Sequence, residues 1–192
     1  MSGQKPVTPS PDSLATSVKA AQTQGLPPVH LWNPPFCGDL DIRIAKDGTW
    51  IYLGSPINRV ELVKLFSSIL KKEEGKYFLV TPVEKVGITV EDAPFIAVDF
   101  DQTGGGETQQ LTFTTQVGDT ATAGPDHPIR IVFDLDTDEP SPYILVRANL
   151  EARIDRKSFY RMVEIASHHD GWFGVWSDGQ FFPLIASDEL GD

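Results

Sequence analysis

The chain twice sets an Asp-Gly pair between two short runs that can pair as strands. The first such segment runs Asp41-Ile42-Arg43-Ile44-Ala45, then Lys46-Asp47-Gly48-Thr49, then Trp50-Ile51-Tyr52-Leu53. The second runs Trp172–Trp176, then Ser177-Asp178-Gly179-Gln180, then Phe181–Ile185. Asp-Gly in this setting is a strong hairpin signal, because the tight turn wants positive φ at both central residues. A chain bracketed by two such hairpins is built around antiparallel β-structure.

The remaining pattern adds helices and further strands. Leu14, Val18 and Ala21 fall at helical spacing within Ser13–Thr23, and Gly25, Pro27 and Pro28 stop that helix. Leu26–Phe36 holds four prolines, which predicts an extended arm anchored by Leu31, Trp32 and Phe36. After Gly54-Ser55-Pro56 a helix is predicted from Ile57 to Lys72, with Val60, Val63, Leu65, Phe66, Ile69 and Leu70 on its apolar face. Gly75 ends it, and Tyr77–Val80 reads as a strand. Further strands are predicted at Val83–Val90, Phe95–Phe100, Leu111–Thr115, Ile129–Phe133 and Tyr143–Arg147. Asp155 then caps a helix to about Ala166, with Phe159, Met162, Val163 and Ala166 facing inward.

These elements make an α+β chain with an internal echo. Ile51–Leu53, a helix, Gly75 and Tyr77–Val80 parallel Ile144–Val146, a helix, Gly171 and Trp172–Val175. The pattern therefore predicts two repeated strand–helix–strand units. Residues 1–12, rich in Pro, Ser and Thr, are expected to be a disordered tail. An N-terminal α+β unit is expected over 13–81, and a β-rich C-terminal unit over 82–192.

Charge narrows the function classes. Among 192 residues, 27 acids face 16 Lys+Arg, a formal charge of -11. A nucleic-acid backbone or an anionic membrane surface calls for clustered cations, so neither is expected as a partner. Met1–Ser10 has no apolar core of the kind a secretory signal needs. The apolar runs, such as Tyr143-Ile144-Leu145-Val146, are far shorter than the roughly 20 residues of a spanning helix. A single cysteine excludes an internal disulfide framework and suits a reducing compartment. The expectation is a soluble, cytoplasmic protein.

Several constellations invite chemistry and have plainer readings. Asp134-Leu135-Asp136-Thr137-Asp138-Glu139 resembles the start of a calcium loop, but Glu139 and Leu145 stand where Gly and a bidentate Glu belong. A solvated turn fits better. His30, His127, His168 and His169 offer no pair on one helical face, so no metal and no other cofactor is expected. His168 and His169 read instead as cations at the end of the helix that Asp155 caps. Cys37 has no basic neighbour to activate it and reads as a buried structural thiol. Gly104-Gly105-Gly106 lacks the Lys and Ser/Thr of a phosphate loop and reads as a hairpin tip.

One segment carries more. Leu53-Gly54-Ser55-Pro56-Ile57-Asn58-Arg59 leads a strand into a helix. Ser55 as cap and Pro56 at the first helical position would leave free amides beside the Arg59 charge, an arrangement suited to an anion. An ordinary capped helix whose arginine meets Glu61 explains the same residues.

The segments Cys37-Gly38-Asp39-Leu40-Asp41-Ile42-Arg43-Ile44, Asp47-Gly48-Thr49-Trp50, Gly54-Ser55-Pro56-Ile57 and Leu65-Phe66-Ser67 form one block. It continues through Tyr77-Phe78-Leu79-Val80-Thr81-Pro82-Val83-Glu84-Lys85-Val86-Gly87-Ile88 and Asp92-Ala93-Pro94-Phe95. With Val117-Gly118-Asp119 and Asp126-His127-Pro128, this block resembles the bacterial domain-of-unknown-function family 1285. The likeness spans roughly Leu31–Leu184 and is most specific over Cys37–Phe95. It implies a duplicated α+β core whose C-terminal half resembles a pleckstrin-homology barrel. It also implies a nucleotide-like ligand between the halves, a role in signalling and no assigned catalysis. The ligand-capable residues at motif positions are Ser55, Arg59, Glu84, Lys85, Asp126 and His127.

Three functions follow as expectations. The first is a non-catalytic ligand-binding or sensory protein that holds a nucleotide-like anion through Ser55 and Arg59, with Lys85 as a second cation. The second is a protein interaction module or homodimer that uses the aromatic C-terminal hairpin of Trp172, Phe173, Trp176, Phe181 and Phe182. The third is an enzyme of unknown reaction with Glu84 and Lys85, or Asp126 and His127, as acid and base. Adjacent strand residues face opposite sides, which places the enzyme last.

Overall fold

A computed structural model of the chain describes residues 8–21 and 25–191. It divides into two compact units, Met1–Glu91 and Asp92–Asp192.

The first unit opens with helix α1 (Pro11–Ala21). Ser10 and Ser13 bond reciprocally across its first turn: the Ser13 amide donates to Ser10 Oγ at 3.1 Å and the Ser10 amide to Ser13 Oγ at 3.0 Å. That is the logic of a capping box, and Pro11 takes the first helical position, where it gives up no hydrogen bond. Strands β1 (Phe36–Ile44), β2 (Trp50–Tyr52) and β3 (Ser55–Pro56) follow, then α2 (Val60–Ser67), β4 (Leu70–Glu73), β5 (Lys76–Val80) and β6 (Lys85–Val90). The sheet runs β3-β2-β1-β6-β5-β4, with β1 and β6 parallel and every other pair antiparallel. Leu14 and Val18 of α1, Phe66 of α2, and Ile42, Ile44, Trp50, Leu79 and Val86 of the sheet are buried together as its core. The Trp50 and Phe66 rings lie 6.2 Å apart, joining the first hairpin to α2.

The expected helix over Ile57–Lys72 is too long. α2 keeps only its central eight residues, and Leu70–Glu73 turns back as a strand against β5, with Leu70 opposite Leu79 and Glu73 opposite Lys76. Glu74 and Gly75 both adopt positive φ, 49° and 77°. They make the tight two-residue hairpin turn whose geometry outweighs the helical preference of the lysines before it. The arm over Leu26–Phe36 is extended apart from a short 3-10 turn at Val29–Leu31. Two of its expected anchors face outward, Leu31 at 69% and Phe36 at 56% exposure. Of the expected tail over 1–12, the first seven residues lie outside the described ones, and its last two already belong to α1. The expected boundary after Thr81 also moves, because β6 belongs to the first sheet.

The second unit holds β7 (Phe95–Thr103), β8 (Gln110–Thr115), β9 (Thr120–Thr122), β10 (Ile129–Phe133), β11 (Pro140–Arg147), β12 (Leu150–Ile154) and α3 (Arg156–Glu164). A three-stranded antiparallel sheet of β13 (Ser167–His169), β14 (Trp172–Ser177) and β15 (Gln180–Ala186) closes it. The six-stranded sheet runs β10-β11-β12-β7-β8-β9, with β7 and β12 parallel. Its edge strand β9 curls back towards β11. Asp155 caps α3, its carboxylate accepting from the Ser158 amide at 2.8 Å.

Numbered from one to six in chain order, both large sheets read 3-2-1-6-5-4 with the first and sixth strands parallel. The duplication is therefore one of six-stranded sheets. The expected strand–helix–strand echo is corrected: α2 joins the third strand to the fourth, whereas α3 follows the sixth. His168 and His169 lie in β13 and do not extend α3, because the helix ends at Glu164 with Ile165 at its cap position and Asp170-Gly171 turns β13 into β14.

Candidate functional site

The expected ligand residues do not converge. Ser55 sits exposed in the edge strand β3, opposite Tyr52, so it cannot cap a helix that begins at Val60. Arg59 is the residue at the cap position; its side chain makes no capping bond and it is exposed. Lys85 lies in β6 opposite Phe36 of β1, whereas Ser55 connects through Tyr52 to Ile42 of β1. Those two points on β1 are separated by roughly 20 Å of strand, and three strand spacings separate β3 from β6. Lys85 is also engaged: its ammonium pairs with Glu73 and lies 4.3 Å from the centre of the Phe78 ring. Hydrogen bonds from Lys85 and then Lys71 hold the Glu73 carboxyl below its ordinary pKa.

Glu84 faces the other way from Lys85. It is 6% exposed and faces α1, where Ser13 hydrogen-bonds to it. Burial pushes its pKa up, and the Ser13 bond offsets part of that. Asp126 is exposed at a turn. His127 Nδ1 lies 2.9 Å from the Leu145 carbonyl, and its backbone exchanges both hydrogen bonds with Gly124. This histidine pins a turn to β11. Of the expected acid–base pairs, Glu84 and Lys85 face opposite ways, and the ring of His127 is engaged by the Leu145 carbonyl. Cys37, expected to be buried, is exposed, with Sγ 3.3 Å from the Pro35 carbonyl. Among the described residues, no group of three or more His, Cys, Asp or Glu side chains could hold a metal ion. No helix among them is long and apolar enough to cross a membrane.

The second unit carries a groove of about 550 Å³ that the single residues of the sequence do not announce. Phe159 and Val163 of α3 form one wall, being four residues apart and so on one helical face. Trp172, Phe173, Leu184 and Ile185, from the facing ends of β14 and β15, form another wall. Phe133 at the end of β10 and Pro140 at the start of β11 lie at one end, and Leu190 beyond β15 lies in the lining too. Phe133, Val163, Trp172 and Leu190 are 39%, 37%, 47% and 42% exposed, a concentration of large apolar side chains open to solvent. The polar side chains in the lining are Asp138 and Glu189. The volume falls in the range of about 300–1,000 Å³ that holds small ligands or a few anchoring side chains. The aromatic hairpin was singled out in the sequence, but not the α3 wall opposite it, whose Phe159 and Val163 read as core positions.

Two polar clusters elsewhere in this unit serve its structure. Tyr143 Oη donates to Asp92 at 2.7 Å, and Arg153 lies 3.5 Å from the same carboxylate. Burial, and then the bond to Asp92, push the Tyr143 hydroxyl up to about 12. Arg130 forms a two-toothed pair with Glu151 at 2.7 and 2.9 Å and covers the Tyr143 ring.

Family models match nearly the whole folded region. Residues 27–93 match "Domain of unknown function (DUF1285), N-terminal domain", and residues 94–184 match "Protein of unknown function (DUF1285), C-terminal domain". A crystal structure of a DUF1285 family protein from Silicibacter pomeroyi DSS-3 is similar at 61% identity and a TM-score of 0.86, covering 92% of this chain and 97% of that one. A DUF1285 family protein from Shewanella baltica OS155 is similar at 32% identity and a TM-score of 0.51, over 64% of this chain and 90% of that one. Comparison with curated proteins finds no match.

Proposed function

This chain belongs to the DUF1285 family, and on that premise we propose that it is a non-catalytic binding protein whose working surface is the apolar groove of its second unit. The observation that carries this reading is the groove itself: six-stranded sheet, α3 and the C-terminal hairpin leave large apolar side chains uncovered around one concavity. Leaving such surface in water is unfavourable by about 25 cal/mol per Å², so a guest that covers it gains that free energy. The reading continues the expectation of an interaction module using Trp172 and Phe173. The expected acid–base pairs lend the enzyme reading no support, since Glu84 and Lys85 face opposite ways and His127 is engaged by the Leu145 carbonyl. A neutral apolar fluorophore such as N-phenyl-1-naphthylamine tests the groove. We expect saturable binding to the full chain that Val163→Asp abolishes; binding that this variant leaves unchanged overturns the reading.

A second reading, sensing of a nucleotide-like anion in signal transduction, is favoured by one observation: Arg59 is exposed and has no ion-pair partner among the described residues. Thermal-shift measurements with a nucleotide panel test it. Stabilisation by one member that Arg59→Ala removes supports it, and no stabilisation by any member disposes of it. The pleckstrin-homology-like character of the C-terminal half is likewise a proposal; the curl of its six-stranded sheet and the helix packed on β7 after the last strand support it.

A further inference from the structure

We infer that the groove takes a basic amphipathic protein segment: an apolar stripe seated between α3 and the β14–β15 hairpin, with Lys or Arg side chains meeting the acids at its margin. This deepens the groove reading and rests on it.

Charge complementarity carries the inference. No Lys or Arg lines the groove, and its two ionisable lining residues, Asp138 and Glu189, are both acids. The chain segments that form it extend the asymmetry. Residues 131–146 contain Asp134, Asp136, Asp138 and Glu139 and no Lys or Arg. Residues 162–192 contain Glu164, Asp170, Asp178, Asp188, Glu189 and Asp192 and again no Lys or Arg. In the β10–β11 turn, Asp134 accepts the amides of Asp136 and Thr137 at 2.9 Å each and so shapes the loop that carries Asp138. Arg161 on α3 is occupied by Asp99 and the Phe100 carbonyl. Arg156, three residues before Phe159, is the one cation of α3 at helical spacing from the lining.

The chemistry of the guest follows. An anionic guest would meet Asp138 and Glu189 as its neighbours, and like charges at that range repel. A second copy of the chain, at -11 overall, would bring acids to face acids across a symmetric contact. A helix with apolar residues at i, i+3, i+4 and i+7 and cations on its flanks satisfies both the apolar walls and the acidic margin. Steering by the acidic margin also raises its encounter rate at low salt.

The test uses the full chain and two synthetic 18-residue helices, one of Leu and Lys and one of Leu and Glu, with the Leu stripe unchanged. Binding is read by fluorescence anisotropy, and each variant is checked by thermal melting. We expect the Lys helix to bind at least tenfold more tightly than the Glu helix. Asp138→Asn combined with Glu189→Gln should narrow that ratio roughly five- to tenfold, as the loss of two partly exposed charge contacts predicts. Val163→Asp and Leu190→Asp, each at a partly exposed position, should each abolish binding of the Lys helix; two variants guard against one that fails to fold.

Equal binding of the two helices, blocked by both variants, keeps the groove and overturns its preference for a basic guest. Binding of the Lys helix that neither variant reduces shows attraction to the net negative surface and overturns the groove reading as well. Sedimentation showing a dimer that Leu190→Asp dissociates assigns the groove to a second copy and overturns the inference.

Discussion

The hydroxyl of Ser177 accepts the Leu111 amide at 2.9 Å. The same oxygen donates to the Ala123 carbonyl at 2.7 Å, so one fully buried side chain ties β14 to both β8 and the segment after β9. Gln109 adds two bonds nearby, Nε2 to the Trp176 carbonyl at 2.9 Å and its own carbonyl to the Asp178 amide at 3.1 Å. One end of the C-terminal hairpin is thus sewn to the six-stranded sheet, and its opposite end, at Trp172 and Ile185, is left to form the groove wall.

Ser177→Ala leaves a backbone N–H and a carbonyl without their partner in a dry setting. We expect a loss of about 1–3 kcal/mol in denaturant unfolding. Hydrogen exchange at Leu111 should accelerate in the same variant. An unchanged midpoint shows that the hairpin is held by its apolar contacts alone.

Gly174 is required by space. A Cβ there would stand 2.1 Å from the Phe182 carbonyl oxygen and 2.8 Å from Pro183 Cα, both backbone atoms of the paired strand. Gly174→Ala should destabilise by roughly 1–3 kcal/mol through forced separation of β14 and β15. Because the clash lies within the hairpin that walls the groove, uptake of the neutral fluorophore should weaken in the same variant.

Phe66 is fully buried against Trp50 and is the large apolar residue that α2, a helix of only eight residues, buries completely. Phe66→Ala should cost about 3–5 kcal/mol, the range for truncating a buried aromatic. Thermal melting followed by tryptophan fluorescence checks it, since Trp50 loses its neighbour.

Glu84 gives the first unit a pH signature. Its folded-state pKa is raised above the ordinary 4.5, chiefly by burial. Folding therefore favours its protonated form, and that contribution is present below the ordinary value and lost as pH rises through the folded one. Glu84→Gln keeps an amide for Ser13 and removes the buried charge. We expect it to exceed the natural protein in stability by about 1 kcal/mol at pH 7, with the gap closing below pH 4.5. A gap independent of pH excludes the carboxyl as its source.

Tyr143 offers a spectroscopic check on the second unit. With its hydroxyl pushed up to about 12, one of the four tyrosines should titrate there by ultraviolet absorbance. Tyr143→Phe should remove that step and lower stability by about 1–2 kcal/mol, since Asp92 loses a hydrogen bond yet keeps Arg153.

What the sequence displayed was governed by local chemistry. Asp155 capped its helix as read, and Asp178-Gly179 formed the tight turn with both φ values positive, 49° and 76°. At the first hairpin only Gly48 has positive φ, because the loop is longer: the Gly48 amide reaches back to the Ala45 carbonyl and the Asp47 carboxylate takes the Thr49 amide. Glu74-Gly75 carried the same kind of signal, but the lysines before it matched a helix as well as a strand. Short strands such as Thr120–Thr122 and Ser167–His169 owe their conformation to pairing partners distant in the fold, so no local pattern marks them. The groove was hidden for a related reason: Phe159 and Val163 repeat at helical spacing as core residues do, and only tertiary structure shows that part of their face is left uncovered.

In each large sheet the first and last strands lie side by side and parallel, so the polypeptide enters at one end of that seam and leaves at the other. Such a module can be copied in tandem without threading the new segment through the old, which gives gene duplication a direct route to a chain of this design. It also gives each module a late closing step. The central pair joins residues far apart along the backbone, and the two outer ribbons of three strands can assemble before that seam zips shut.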